Sequence, residues 1–231
     1  MNSIVLLSGG LDSTVCFHLT AQADEARLAL TFDYGQRAAQ REIAAARAMC
    51  RRAGVEHRVI ELPWLREITE TALVNISARL PEPTVELLDE AQAAVQTAAD
   101  VWVPNRNGVF INVAAAFAET RECEDIVCGF NIEEAATFPD NSAEFVGRIN
   151  AALAVSTLSE VRVVSPTQDM TKPDIVRLGR RIAAPLDLIW SCYEGGDQHC
   201  YRCESCLRLK RALEEAGEWG WFQQVHRPAA P

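Results

Sequence analysis

The sequence predicts an α/β protein: a parallel five-stranded sheet with helices on both faces, followed by a small helical extension rich in cysteine. Three observations predict it. Short apolar, β-branched runs alternate with stretches of helical periodicity, the pattern of βαβ units. The first such run ends in Ser8-Gly9-Gly10, a turn that opens a helix. Four cysteines, Cys192, Cys200, Cys203 and Cys206, crowd into fifteen positions near the C-terminus, at a spacing able to close a tetrahedral shell around Zn²⁺.

Ile4, Val5, Leu6 and Leu7 form the first strand run, and Val15 to Leu19 the first helical turns after the glycines. Strand, glycine turn and helix N-terminus together aim backbone N–H groups and the positive end of a helix dipole at one spot. That spot suits an anion, typically phosphate. Gly9 and Gly10 allow close approach to the backbone. Ser8, Ser13 and Thr14 add hydroxyls, and Leu11 and Asp12 complete the loop. No lysine follows the glycines, so this is not the GxxxxGK[ST] loop, and it is not GxGxxG.

Residues 27–33 read as a second strand at βαβ spacing. Residues 37–54 read as a helix with Ile43, Ala46 and Met49 on one face, closed by Gly54. Residues 56–62 are a third strand. Ligands of such sheets sit beyond the C-terminal strand ends, which here include Phe32 and Tyr34. Residues 63–104, with four prolines, read as an insertion near the site, helical over 86–99. Arg106 follows in turn chemistry, before a helix over 109–120. Strands are expected over 125–130 and 162–164, separated by a polar loop at 131–142 and a helix to about 158. Thr171-Lys172-Pro173-Asp174 is a capping-box variant opening a helix to 181. A last helix spans 203–216, and Trp219 and Trp221 belong to a tail that packs on the domain or on a partner. The division expected is a nucleotide-binding α/β domain at 1–181 and a zinc-binding extension at 182–231.

The 231 residues are 48% hydrophobic and 23% charged, enough for a core, and carry a net charge of −10. That acidity excludes broad nonspecific binding to nucleic acid, which needs a basic face. No run approaches the ~18 apolar residues that span a bilayer. The first residues enter a strand without a basic segment, unlike a signal peptide. Clustered cysteines suit a metal site in a reducing cytoplasm better than a disulfide framework. A four-cysteine shell leaves no open position, so zinc would be structural, with an iron–sulfur cluster as the rival occupant. His199 reads as a neighbour of the shell. Cys16, Cys50, Cys123 and Cys128 read as small hydrophobes. Lys172 is one of only two lysines, and at a helix start it could reach a phosphate as a point charge or lie solvated on the surface. Arg106 has the same two readings.

S-G-G-L-D-S-T at 8–14, T-F-D-Y-G-Q-R at 31–37, V-P-N-R-N at 103–107, S-P through Lys172, and C-x7-C-x2-C-x2-C at 192–206 occur in that order. The first string resembles the signature of PP-loop ATP pyrophosphatases. The whole set resembles the 7-cyano-7-deazaguanine synthase (QueC) family, over nearly the entire chain. The resemblance implies conversion of 7-carboxy-7-deazaguanine, ammonia and ATP into a nitrile, through an adenylated acid and an adenylated amide. It also implies a structural zinc, Mg²⁺ with the nucleotide, and a homodimer. By motif match, Ser8, Gly9, Gly10, Leu11, Asp12, Ser13 and Thr14 would hold phosphates and Mg²⁺, Phe32 and Tyr34 would lie near the nucleotide, and Lys172 and Arg106 would stabilise departing pyrophosphate.

The chemistry is consistent. A bare carboxylate would have to expel oxide, whereas adenylation supplies a leaving group, and such transfer needs positioning and charge stabilisation more than a covalent nucleophile. Two departures stand out. Asn105 occupies a position where many family members have Gly, and I-E-E-A-A-T-F-P-D-N-S at 132–142 replaces an E-T-D-F-S-G-Y-P-D-C-R-type loop, keeping Glu133, Pro139 and Asp140. Three other readings therefore stay open: a related ligase joining a deazaguanine acid to another amine, a tRNA-modifying PP-loop enzyme, and a zinc-stabilised partner protein that senses ATP without turnover.

Overall fold

The structure, a computed structural model, describes residues 1–226. β1 (Ser3–Leu6) leads through the glycine turn into α1 (Leu11–Gln22). β2 (Ala26–Asp33), α2 (Ala39–Ala53) and β3 (Glu56–Glu61) follow. α2 ends where Gly54 adopts φ 69°, a left-handed cap. The segment after β3 holds α3 (Pro63–Ile68), a 3₁₀ stretch at Val85–Asp89 and α4 (Ala91–Val101), so the helix expected over 86–99 is split in two.

α5 (Arg106–Thr120) precedes β4 (Asp125–Val127), which is shorter than the sequence suggests. Beyond it, Phe130 N–H donates to the Ser165 hydroxyl at 3.0 Å rather than to a neighbouring strand. α6 (Ile132–Ala135) is a single turn inside the expected loop, capped by Asn131, whose Oδ1 accepts from Glu134 N at 2.9 Å. α7 (Ala143–Ser156) is capped by Ser142, and β5 (Arg162–Val164) follows. α8 (Lys172–Arg181) opens with the anticipated capping box of Thr171 and Asp174. α9 (Glu204–Glu215) and α10 (Trp219–Val225) complete the chain. α10 replaces the expected tail up to Val225; the stretch at 227–231 lies outside the described residues.

The sheet is parallel throughout, in the order β3-β2-β1-β4-β5. Alternation along the strands divides the core in two. Ile4, Leu28, Leu30 and Ile126 face α5 residues Ile111 and Ala115. Val5, Ala29 and Val127 face Val15, Met49 and Ile175 on the other side. Leu209, Leu213 and Phe222 belong to this second core, so the cysteine-bearing extension packs on the α/β layers, and Trp219 and Trp221 pack partly buried against it. Strand order reverses between β1 and β4, which opens a crevice at their C-terminal ends. Among the described residues no helix is long and apolar enough to cross a membrane.

Candidate functional site: a switch-point cavity braced by a four-cysteine knot

The Ser8–Thr14 loop emerges at that reversal. Gly10 takes the N-cap position of α1 with no side-chain cap, so the helix's first N–H groups stay open toward the crevice. Gly9 adopts φ 83°, and an added Cβ would sit 2.9 Å from Ala45 Cβ and 3.1 Å from the Glu42 carbonyl. Glycine is therefore required there by the fit of the loop against α2. The loop is closed from the opposite side by Gly129, after β4. A Cβ on Gly129 would lie 2.5 Å from Ser13 N and 2.7 Å from the Asp12 backbone carbon. Gly129→Ala is thus expected to cost about 1–3 kcal/mol by overpacking and to weaken nucleotide binding by displacing the start of α1. Thermal unfolding and ATP titration of the variant check both effects.

A cavity of about 270 Å³ opens here, lined by Ser8, Gly10, Leu11, Asp12 and Ser13 of the loop. Phe32, Tyr34, Arg106 and Lys172 line it as well. Gly9 and Thr14 do not. Thr14, expected among the phosphate-holding hydroxyls, is fully buried and its Oγ1 donates to Met49 Sδ at 3.4 Å, so its side chain faces the core. Ser8 and Ser13 share a hydrogen bond of 3.0 Å.

Asp12 does not cap α1. Its Oδ2 accepts from Lys172 Nζ at 2.9 Å, and its Oδ1 is buried without a hydrogen-bond partner. Lys172 Nζ also donates to Glu134 Oε1 at 2.7 Å, and the Lys172 side chain is only 9% exposed. A solvated surface position is thereby excluded. Burial disfavours the ammonium, but the Asp12 and Glu134 carboxylates outweigh it and hold the Lys172 pKa above the ordinary lysine range. Burial pushes the Asp12 carboxyl up against the pull of Lys172. Burial also works against charge on Glu134, yet the Lys172 ammonium brings that carboxyl below its usual range.

Arg106 begins α5 and its Nη1 donates to Tyr34 Oη at 3.4 Å. Asn105 adopts φ 50°. That left-handed conformation is one Asn tolerates better than other residues with a side chain, so the departure from Gly preserves the turn. The T-F-D-Y-G-Q-R segment folds on itself around buried Gln36. The Gln36 amide donates to Phe32 O at 3.0 Å and to Glu42 at 2.8 Å, and accepts from Tyr34 N at 3.0 Å. Phe32 stacks on Phe110 with centroids 4.0 Å apart.

Several lining residues were not singled out by sequence reasoning. Trp102 from the insertion and Phe138 from the altered loop lie nearly parallel, at 8° with centroids 6.3 Å apart, and both line the cavity. The insertion is therefore a wall of the site. The altered loop is anchored at both ends: Glu133 Oε1 accepts from Lys172 N at 2.6 Å, and the Asp140 carbonyl accepts from Asn107 Nδ2 at 3.1 Å. Asp12, Glu42, Glu133, Glu134, Asp140 and Glu204 line the cavity against three cations, Arg106, Lys172 and Arg208. Such an excess of carboxylates favours a divalent cation accompanying any phosphate that enters. The signals were faint: an acidic residue at a helix start ordinarily serves only the helix dipole.

The four cysteine sulfurs lie within 4.8 Å of one another, and Cys192, Cys203 and Cys206 are each 1% exposed. Backbone N–H groups support them, Cys200 N to Cys192 Sγ at 3.4 Å and Cys203 N to Cys200 Sγ at 3.3 Å. Hydrogen bonds from Cys203 and Cys206 pull the Cys192 thiol far down, while the bond to Cys192 pushes Cys203 up to about 12. Thiols in this arrangement ionise together only around a cation, and the donor set suits zinc. His199 stands outside the set: its Nε2 is 3.2 Å from Ser191 N and its ring stacks on Trp190 at 4.7 Å. Trp190 joins the two centres. Its N–H donates to Gly9 O at 2.8 Å and its Nε1 to Cys192 O at 2.8 Å.

A phosphate-suited loop at the switch point of a parallel sheet, with an acid-rich cavity above it, defines a PP-loop nucleotide-binding fold. The chain belongs to the queuosine biosynthesis protein QueC family, which matches residues 2–217. Among its relatives, a 7-cyano-7-deazaguanine synthase from Pelotomaculum thermopropionicum is 58% identical, with 94% of this chain and 98% of that protein covered. Proteins of the same name from Methanosarcina barkeri and Bdellovibrio bacteriovorus are 48% and 47% identical. The first covers 94% of this chain and 95% of the relative, the second 92% and 93%.

Proposed function

We propose that this chain is an ATP-dependent C–N ligase that converts 7-carboxy-7-deazaguanine and ammonia into 7-cyano-7-deazaguanine, releasing AMP and pyrophosphate. The observation that carries the reading is the buried Lys172, held by Asp12 of the phosphate loop at the mouth of an aromatic-walled cavity. Family membership supports the substrate class. In this reading a carboxylate oxygen of the substrate attacks the α-phosphorus of ATP and pyrophosphate leaves. Ammonia attacks the activated carbonyl carbon and AMP leaves, giving an amide. The amide oxygen is then adenylated by a second ATP, and loss of AMP with two protons forms the nitrile.

The open N–H groups of α1, Gly10 and the Ser8 and Ser13 hydroxyls bind phosphate oxygens. Lys172 and Arg106 offset the charge that develops on pyrophosphate. Asp12, with its unpartnered Oδ1, and Glu134 are the residues suited to hold Mg²⁺, which supplies further neutralisation. Phe32, Tyr34, Trp102 and Phe138 hold planar rings and exclude water. Cys192, Cys200, Cys203 and Cys206 hold zinc as a structural centre. With this reading go a cytoplasmic location, no stable nucleic-acid partner and the homodimer that the family resemblance implies.

The test is mass spectrometry of products after mixing the protein with ATP, Mg²⁺, ammonium and 7-carboxy-7-deazaguanine, with AMP counted. The expected result is nitrile with two AMP per product. Amide with one AMP would replace the synthase reading with an amide-forming ligase and point to the 131–142 loop. No AMP would overturn the enzyme reading in favour of an ATP sensor.

A further inference from the structure

Glu204 has no part in the chemistry above, yet among the described residues it is one of the most completely buried carboxylates. It is 3% exposed and lines the cavity. It is the first residue of α9, directly after Cys203. Its Oε1 is 2.9 Å from both Arg208 Nε and Arg208 Nη2, one turn along the same helix. Its Oε2 is buried with no hydrogen-bond partner. Arg208 is fixed in turn, because its Nη2 donates to Leu88 O at 2.9 Å, in the insertion. The carboxylate of this lining residue is therefore held by Arg208, with one oxygen left without a hydrogen bond.

The surroundings of that oxygen say what it takes. The Arg208 guanidinium lies against Glu204 through two nitrogens on Oε1. At Lys172 two carboxylates, Asp12 and Glu134, meet at one ammonium, and Asp12 keeps an unpartnered Oδ1. A divalent cation is better placed between those two carboxylates. A carboxylate set against a guanidinium, with one oxygen unpartnered, suits neutral N–H donors, and an ionised carboxylate offers about four acceptor positions over its two oxygens. Arg208 takes two of them on Oε1, which leaves those of Oε2. A guanine-type ring presents two adjacent donors, a ring N–H and an exocyclic amine, that can converge on one such oxygen.

We infer that Glu204 is a specificity-determining residue that accepts hydrogen bonds from the ring N–H and exocyclic amine of the base, and that the cysteine knot holds it in place through the start of α9. The inference rests on the proposed function for its substrate class. A site with a buried acceptor rejects analogues lacking the donor, because the acceptor is then left unpaired.

The experiment compares 7-carboxy-7-deazaguanine with its analogue lacking the exocyclic amine, in the wild-type chain and in Glu204→Gln, with zinc content and the KM for ATP as controls of integrity. The wild-type chain is expected to favour the amine-bearing acid by at least about 100-fold in kcat/KM. Glu204→Gln is expected to raise KM for that acid about tenfold or more and to shrink the preference to a few-fold, with ATP KM and zinc content retained. Equal use of the two acids by the wild-type chain overturns the inference whatever the variant does. A wild-type preference that persists in Glu204→Gln overturns it too, while leaving the proposed function standing. A wild-type chain that adenylates neither acid overturns the proposed function and the inference together.

Discussion

Replacing Lys172 by alanine is expected to lower kcat by about 10²–10³-fold, the loss typical of removing one preorganised group at a developing charge. Stability should fall as well. Lys172 is the ammonium shared by Asp12 and Glu134, and its removal leaves the two carboxylates together without the cation that bonds both, only the more distant Arg106 and Arg208 still acting on Glu134. Breaking a buried pair costs about 3–5 kcal/mol, and the lower end applies because the Glu134 side chain is 32% exposed and can turn to water. Lys172→Arg separates the two effects. It keeps the charge, so most stability returns, but a planar fork does not reproduce a point contact with both carboxylates and the phosphates. Single-turnover AMP release and thermal unfolding of both variants check this, and wild-type kinetics in Lys172→Ala would make the residue purely structural. The pH dependence has a definite sign. Lys172 is held above its ordinary value, so its contribution to stability is full below about pH 10 and is lost as pH climbs through the raised value. Glu134 is held low, so its contribution is present above about pH 4 and is lost as pH falls through the lowered value.

Loss of the zinc proposed for the cysteine knot is expected to be the other large perturbation. Zinc binding to small four-ligand sites carries apparent free energies of about 10–16 kcal/mol. Here the knot lies at the root of α9, and α9 and α10 supply Leu213 and Phe222 to the core beneath β1. Releasing the knot therefore loosens a face of the sheet as well as a local loop. Chelation, or Cys203→Ser, should abolish the tightly held zinc, lower the unfolding temperature by at least about 10 °C and bring on aggregation. Elemental analysis and circular-dichroism melts before and after chelation provide the check. A chain that keeps its melting temperature and turnover after complete metal removal would rule out a structural role.

What could be read in the sequence was what local chemistry dictates. The strand–glycine–helix order of residues 3–22, the Gly54 stop and the Thr171–Asp174 capping box each depend on neighbours within a few positions, and the structure has all three. Asn105 was legible as a turn residue, and its φ of 50° shows why a change from Gly does little there. The cysteine spacing was legible because the sulfurs meet within one short segment. Thr14 was not. A hydroxyl in the first turn of a helix looks the same whether it faces a cavity or a core, and Met49 on another helix decides it. The ion pair from Lys172 to Glu134 and the lock of Arg208 on Leu88 are likewise tertiary. α10 was missed because its sequence, with Gly220 inside and no capping side chain, has little helical preference of its own. It is held by the complete burial of Phe222.

The bond from Trp190 N–H to the Gly9 carbonyl has a consequence for how the chain comes to life on the ribosome. Gly9 is made long before Trp190, the residue whose N–H fixes its carbonyl. A contact so distant in sequence requires closing a very long loop, an entropic cost that local contacts do not share. The phosphate loop of a nascent chain therefore exists as an unfastened turn, with the apolar side chains of α1 awaiting Leu213 and Phe222. On the proposed function, nucleotide competence follows the making of Trp190 and the cysteine knot, and truncated products that stop before the knot are expected to be inactive and prone to association.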